Sequence, residues 1–165
     1  MITYVGIDPG KSGAIVTLQE VEFEAETNIH IEVHLLNNEP EQTFEFINSI
    51  PHSSPIVIER VHAMPIWWGG SGDKKKPETF VPKQGIASTF KFGESYGFIK
   101  GLLFPIVPKE VLSRVWQKRM NCLTGGDKKI SLRKAQELYP SLKVTHAFAD
   151  ALLIATYCKL YYHQC

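Results

Sequence analysis

Gly6-Ile7-Asp8-Pro9-Gly10-Lys11-Ser12-Gly13 stands between two apolar runs, Ile2–Ile7 and Ala14–Leu18, that both read as buried strand. Pro9 fixes φ at the first central position of a tight turn, and Gly10 suits the positive φ that a type II turn wants at the second. Asp8 then becomes the last residue of a strand, aimed out of the sheet edge rather than into the core. A plain hairpin turn with Asp in its favoured first place is the competing reading. A phosphate-binding loop is excluded: Val5 stands where that motif needs glycine, and a β-type run follows where it needs a helix.

The chain has 165 residues, which reads as one domain, 1–165, able to bury a core without disulfides or a structural metal. No basic, apolar leader opens it, and no apolar run approaches the roughly 18 residues of a membrane span, so an intracellular protein is expected. Cys122, Cys158 and Cys165 form no zinc spacing, and their odd number argues against a disulfide framework. Net charge is +1, yet the charges are segregated. Residues 1–60 carry ten acidic side chains against Lys11 and Arg60, while residues 61–165 carry sixteen basic against seven acidic. A near-neutral chain with a basic two-thirds can still present a face to phosphates.

Beyond the first hairpin, Ile29–Leu36 alternates well enough for a third strand, with Glu20–Asn28 as an acidic connection, giving an antiparallel meander. Pro40 opens a helix over Glu41–Ile50, with Phe44, Ile47 and Ile50 at helical spacing. Pro55–Glu59 reads as a buried strand, again ending in a carboxylate. The segment from His62 to Lys83 is loop-like; Trp67, Trp68, Lys74, Lys75, Lys76 and Lys83 suit a flap that stacks on bases and neutralises phosphates. Gln84–Phe104 is a long helix whose Gly93 and Gly97 let another backbone come close, on the sheet or on a second subunit. Pro105–Pro108 reads as a short strand or link, and Lys109–Met120 as a helix with Val111, Leu112, Val115 and Trp116 facing inward. Lys128-Lys129-Ile130-Ser131 leads into a helix carrying Arg133 and Lys134 that Tyr139-Pro140-Ser141 stops, and a last helix runs over about His146–Tyr161, where His146 and Asp150 lie four apart on one face.

Three carboxylates thus stand out: Asp8 and Glu59 ending neighbouring strands, and Asp150 on the last helix with His146 one turn before it. Gathered together they repel, unless divalent cations occupy the site. Mg²⁺ suits such hard oxygens, and a pair of ions about 4 Å apart stabilises both oxygens of an in-line phosphoryl displacement.

With these residues in hand the chain resembles the RuvC-type Holliday junction resolvases of the RNase H-like superfamily. The resemblance rests on Gly6-Ile7-Asp8-Pro9-Gly10, Ile58-Glu59, Phe92-Gly93-Glu94-Ser95-Tyr96-Gly97 and His146 to Ala155, in the family's order and over nearly the whole chain. It implies an α/β fold with a five-stranded mixed sheet flanked by helices. It also implies a homodimer that nicks branched DNA symmetrically, with two Mg²⁺ ions per site for which Mn²⁺ substitutes. The acidic site carries over onto Asp8, Glu59 and Asp150. Ala147 stands where many members have another aspartate, and His146 resembles the His-containing variants, completing the implied metal and catalytic set. Basic residues before the last helix approach the scissile phosphate in the family; Lys118, Lys128 and Lys129 are the nearest here. Of these, Lys118 and Lys129 are assigned to catalysis, and Lys128 to the DNA face with Lys11, His62, the loop residues above, Lys91 and Arg133. A junction-binding module that has lost hydrolysis is the alternative.

Overall fold

The first apolar run forms β1 (Thr3–Asp8), the middle strand of a five-stranded sheet of order β3-β2-β1-β4-β5. The computed structural model describes residues 2–10, 12–23, 26–36, 39–60 and 86–162. β2 (Ala14–Phe23) and β3 (Glu26–Leu35) continue antiparallel from β1, whereas β4 (Ile56–Glu59) and β5 (Lys109–Val111) lie parallel to it. Five helices complete the chain: α1 (Pro40–Ser49), α2 (Ile86–Leu103), α3 (Ser113–Arg119), α4 (Lys128–Leu138) and α5 (Ala149–Tyr161). The expected mixed five-stranded sheet with flanking helices is therefore present.

Strand periodicity divides the core into two layers. Tyr4, Val16, Leu18 and Val57 face Trp116, Ala135 and the buried side of α5. Val5, Ile7, Ile15, Ile56 and Ile58 face the other way, onto Ile47 of α1 and Ile99 and Leu103 of α2. Gly6 lies on the α5 side, where a Cβ would fall inside the backbone of Ala151 and Ala155. Glycine on the strand and alanines four apart on the helix are what let β1 and α5 come this close.

Four expectations change. β2 and β3 run through most of the stretch read as an acidic connection, pairing as far as Phe23 with Glu26. That ribbon overruns β1, whose pairing stops at Thr3 with Gln19, so no neighbouring strand demands apolar residues there. The stretch read as one helix, Lys109–Met120, is strand β5 followed by the shorter α3; Lys109 and Glu110 are exposed, as charged residues at a sheet edge commonly are. Val111 and Trp116 are buried as expected, but Leu112 and Val115 are exposed. On α1 it is Thr43 that faces inward, bonded through Oγ1 to His34 Nε2 at 2.9 Å, while Phe44 is exposed. Finally, α5 starts at Ala149, and His146 sits in the turn before it.

Cys122 and Cys158 are buried; Cys165 lies outside the described residues. No helix among the described residues is long and apolar enough to cross a membrane.

Candidate metal and phosphate cleft

Asp8 ends β1 and Glu59 ends β4, one step beyond the pairing of Ile7 with Ile58. Each shares the parity of the residues facing α5, so both carboxylates leave the sheet on that side. Asp150 lies in the first turn of α5, where a negative charge complements the helix dipole. All three line one cleft of about 350 Å³.

The turn that presents Asp8 differs from the expected one. Gly10 does not adopt a positive φ; among described glycines, Gly125 and Gly126 do. The Asp8 side chain closes the turn itself, Oδ1 accepting from Gly10 N–H at 3.0 Å, and Gly13 N–H donates to Gly10 C=O at 2.9 Å. Glycine at position 10 answers to space: a Cβ there would lie 3.2 Å from Asp8 Oδ1 and 3.5 Å from the Phe92 ring. Ser95 Oγ donates to the Pro9 carbonyl at 3.0 Å, which ties α2 to this turn. The Phe92–Gly97 stretch thus supports the turn through Ser95 and lines the cleft through Phe92.

Electrostatically the cleft is under strain. Burial raises the Asp8 pKa, opposed by the Gly10 N–H, raised again by Asp150 and lowered by Lys128. Glu59 is pushed up to about 6, first by burial and further by Asp8 and Asp150, against the lowering effect of hydrogen bonds from Ser113 and Trp116. Asp150 Oδ1 is buried with no hydrogen-bond partner among the described residues. An orphaned carboxylate oxygen beside two carboxylates that burial disfavours is the donor chemistry of a hard divalent cation. The residues fit such an ion by donor type. Still, among the described residues no three His, Cys, Asp or Glu side chains are arranged to hold one.

The cleft is also lined by Gly126 of the Gly125-Gly126 loop and by Lys128 at the start of α4. Asp127 caps that helix, its Oδ1 accepting from Lys129 N–H at 2.9 Å. The three lysines before α5 are all exposed; Lys128 lines the cleft, and Lys118 and Lys129 do not. The expected placement of Lys118 and Lys129 in the site is therefore not met by the cleft lining, whereas Lys128, the first residue of α4, borders it. His146 is exposed and outside the lining, because the chain there is turn and the helical spacing to Asp150 does not hold. Lys91 and Arg133 are exposed on α2 and α4. Lys11, His62, Trp67, Trp68, Lys74, Lys75, Lys76 and Lys83 lie outside the described residues.

Sequence reading missed Gln117, Thr124, Ser113 and Trp116. Gln117 and Thr124 line the cleft, Gln117 Oε1 accepting from Thr124 Oγ1 at 3.4 Å. Trp116 was read only as core, and its indole N–H carries no periodic signal. No protein-family model matches the chain, and no curated protein matches its sequence.

Proposed function

We propose that the chain is an RNase H-like, RuvC-type endonuclease that resolves four-way DNA junctions by paired symmetric nicks, leaving 5′-phosphate and 3′-hydroxyl ends. The observation that carries this reading is the cleft itself, lined by Asp8 and Glu59 from adjacent parallel strand ends, by Asp150 from the first turn of α5 and by Lys128 from the start of α4.

Asp8, Glu59 and Asp150 would hold Mg²⁺, or Mn²⁺ in its place, which supplies charge neutralisation at the phosphate and a water acidified enough to attack at neutral pH. The protein's own groups do the rest. Gly10 N–H fixes Asp8, Ser113 and Trp116 fix Glu59, and Lys128 offers a cation to a phosphate oxygen. Contacts of this kind grip backbone without reading bases, so affinity falls steeply with salt.

A four-way junction has near two-fold symmetry, and an isologous homodimer would supply two sites related by a dyad. The candidate contact is the outer face of α2. Cβ atoms placed on Gly93, Gly97 and Gly101 would meet nothing within 4 Å, and Phe90 and Phe98 beside them are 72% and 43% exposed. Of the two expected surroundings for Gly93 and Gly97, the sheet or a second subunit, the sheet does not apply, since α2 turns Ile99 and Leu103 inward instead.

One observation favours the second reading, a binding module without hydrolysis: the lack of an assembled three-donor group among the described residues. Incubating a synthetic immobile junction, with duplex and single-strand controls, in Mg²⁺, Mn²⁺ and EDTA separates the two. Metal-dependent paired nicks with linear controls spared support the resolvase. Tight binding without cuts in either metal selects the binding module, and equal cutting of all substrates removes the junction assignment.

A further inference from the structure

We infer that Ser113 and Trp116 are positioning residues: together they form a two-donor clamp that sets the orientation of the Glu59 carboxylate before any cation arrives. This rests on the proposed metal-dependent reading of the cleft.

The clamp follows from topology. Glu59 pairs with Val111 across β4 and β5, and Arg60 N–H closes that pairing onto the Val111 carbonyl at 2.7 Å. Two residues after Val111 the chain turns into α3, so the start of that helix lies over the end of β4. Ser113 Oγ donates to Glu59 Oε1 and Trp116 Nε1 to Glu59 Oε2, both at 2.7 Å. Ser113 and Trp116 are three apart and so share a helix face. Trp116 is fully buried in the α5-side core, so its N–H is held by packing rather than by the carboxylate it serves.

The three acids of the cleft are held unequally. Asp8 takes one backbone donor, Asp150 Oδ1 takes none, and Glu59 takes a side-chain donor on each oxygen. A carboxylate has about four lone-pair sites, so two bonds leave acceptor capacity on both oxygens while removing rotation about the terminal torsion. Short bonds to an ionised acceptor are also the strong ones. Glu59 is thereby the pre-oriented ligand, and Asp150 the one left to adjust.

The test uses the full chain and reads Mn²⁺ binding without DNA, by electron paramagnetic resonance titration, alongside junction cleavage. Ser113→Ala and Trp116→Phe should each weaken Mn²⁺ binding and lower kcat by about 10- to 100-fold, the usual cost of losing an outer partner of a metal ligand. KM for the junction should stay unchanged, and Ser113→Thr, which keeps the hydroxyl, should restore both values. Ser113→Ala keeps the test informative if the buried Trp116→Phe fails to fold. In a Trp67→Phe, Trp68→Phe background Trp116 is the sole tryptophan, and Mn²⁺ should quench its emission with Glu59 present and not in Glu59→Gln. Wild-type Mn²⁺ affinity and kcat in Ser113→Ala, with Glu59→Gln inactive, would overturn the clamp and leave the cleft standing. Full Mn²⁺ binding and cleavage in Glu59→Gln would overturn the metal reading and the clamp with it.

Discussion

Asp8 and Glu59 terminate adjacent parallel strands with both carboxylates on the α5 side of the sheet; burial raises the pKa of each, Asp150 raises both further, and Asp8 also raises that of Glu59. Two acids placed so carry a cost in the folded state, which is the mark of a site arranged for chemistry rather than for stability. The placement follows from parity: β1 and β4 each reverse from apolar to acidic at their last residue, and parallel pairing sets those residues side by side.

Asp8→Asn isolates that cost. The amide keeps an acceptor for Gly10 N–H and removes the charge. Because the folded pKa of Asp8 lies above its ordinary 3.8, stability from this group is full below 3.8 and is lost as pH rises through the folded value. In EDTA at pH 7 the variant should melt higher than wild type, since it lacks the charge that burial and Asp150 disfavour. The difference should close toward pH 3.8. Cleavage should be abolished while junction binding persists; cutting that survives the change would mean that Asp8 is no ligand.

Adding Mg²⁺ should do the reverse. A cation that binds only the folded state raises the melting temperature of wild type, by an amount corresponding to about 2.7 kcal/mol at a hundredfold excess over Kd. Glu59, with its pKa near 6 against an ordinary 4.5, holds a proton increasingly below pH 6, and the ion must displace it. The Mg²⁺-induced shift should therefore be larger at pH 7.5 than at pH 5.5, and absent in Asp8→Asn. Scanning fluorimetry across both pH values checks it; equal shifts in wild type and variant would place the ion elsewhere.

Lys128 lines the cleft, and Lys118 and Lys129 do not. Lys128→Ala should lower kcat by about 10²-fold, as loss of a charge-stabilising group at a reacting centre does. It should also reduce the salt slope of junction binding by about one. Lys118→Ala and Lys129→Ala, on exposed positions outside the cleft, should leave kcat unchanged. A kcat defect confined to Lys118→Ala would move the phosphate site to α3.

His146→Ala should retain Mn²⁺ binding and cleavage, since the side chain is exposed and outside the cleft. Loss of Mn²⁺ affinity in this variant would return His146 to the metal set.

Much of the sheet was legible because its signals are local. Asp8, Glu59 and Asp150 each end or begin an element with a carboxylate against an apolar background, and that contrast survives in one dimension. The three-residue strand Lys109–Val111 was not legible, because so short a charged edge has no period and its Val111 falls in helical register with Val115. His146 was misplaced for a related reason: spacing of four is meaningful only inside a helix, and the helix starts three residues later. Ser113 and Trp116 meet Glu59 only through the pairing of β4 with β5, a contact more than fifty residues away in sequence.

Two glycine-to-alanine changes test the packing with opposite signs. At Gly6 the new methyl would fall within the backbone of Ala151 and Ala155, and neither strand nor helix can yield without opening the layer between them. Gly6→Ala should cost about 3 kcal/mol or more, the range of severe overpacking, and chemical denaturation of any soluble product reads it directly. At Gly97 a methyl meets nothing within 4 Å, so relief of glycine's helix cost should stabilise the single chain by about 0.5–1 kcal/mol. That gain has a counterpart if α2 is the contact of a homodimer, since methyl groups at Gly93 and Gly97 would hold two helices apart. Sedimentation of the Gly93→Ala, Gly97→Ala protein should then show dissociation at concentrations where wild type stays paired. A dimer of unchanged strength would place the contact on another face, whereas a more stable chain that no longer pairs would identify the open glycine stripe as the interface.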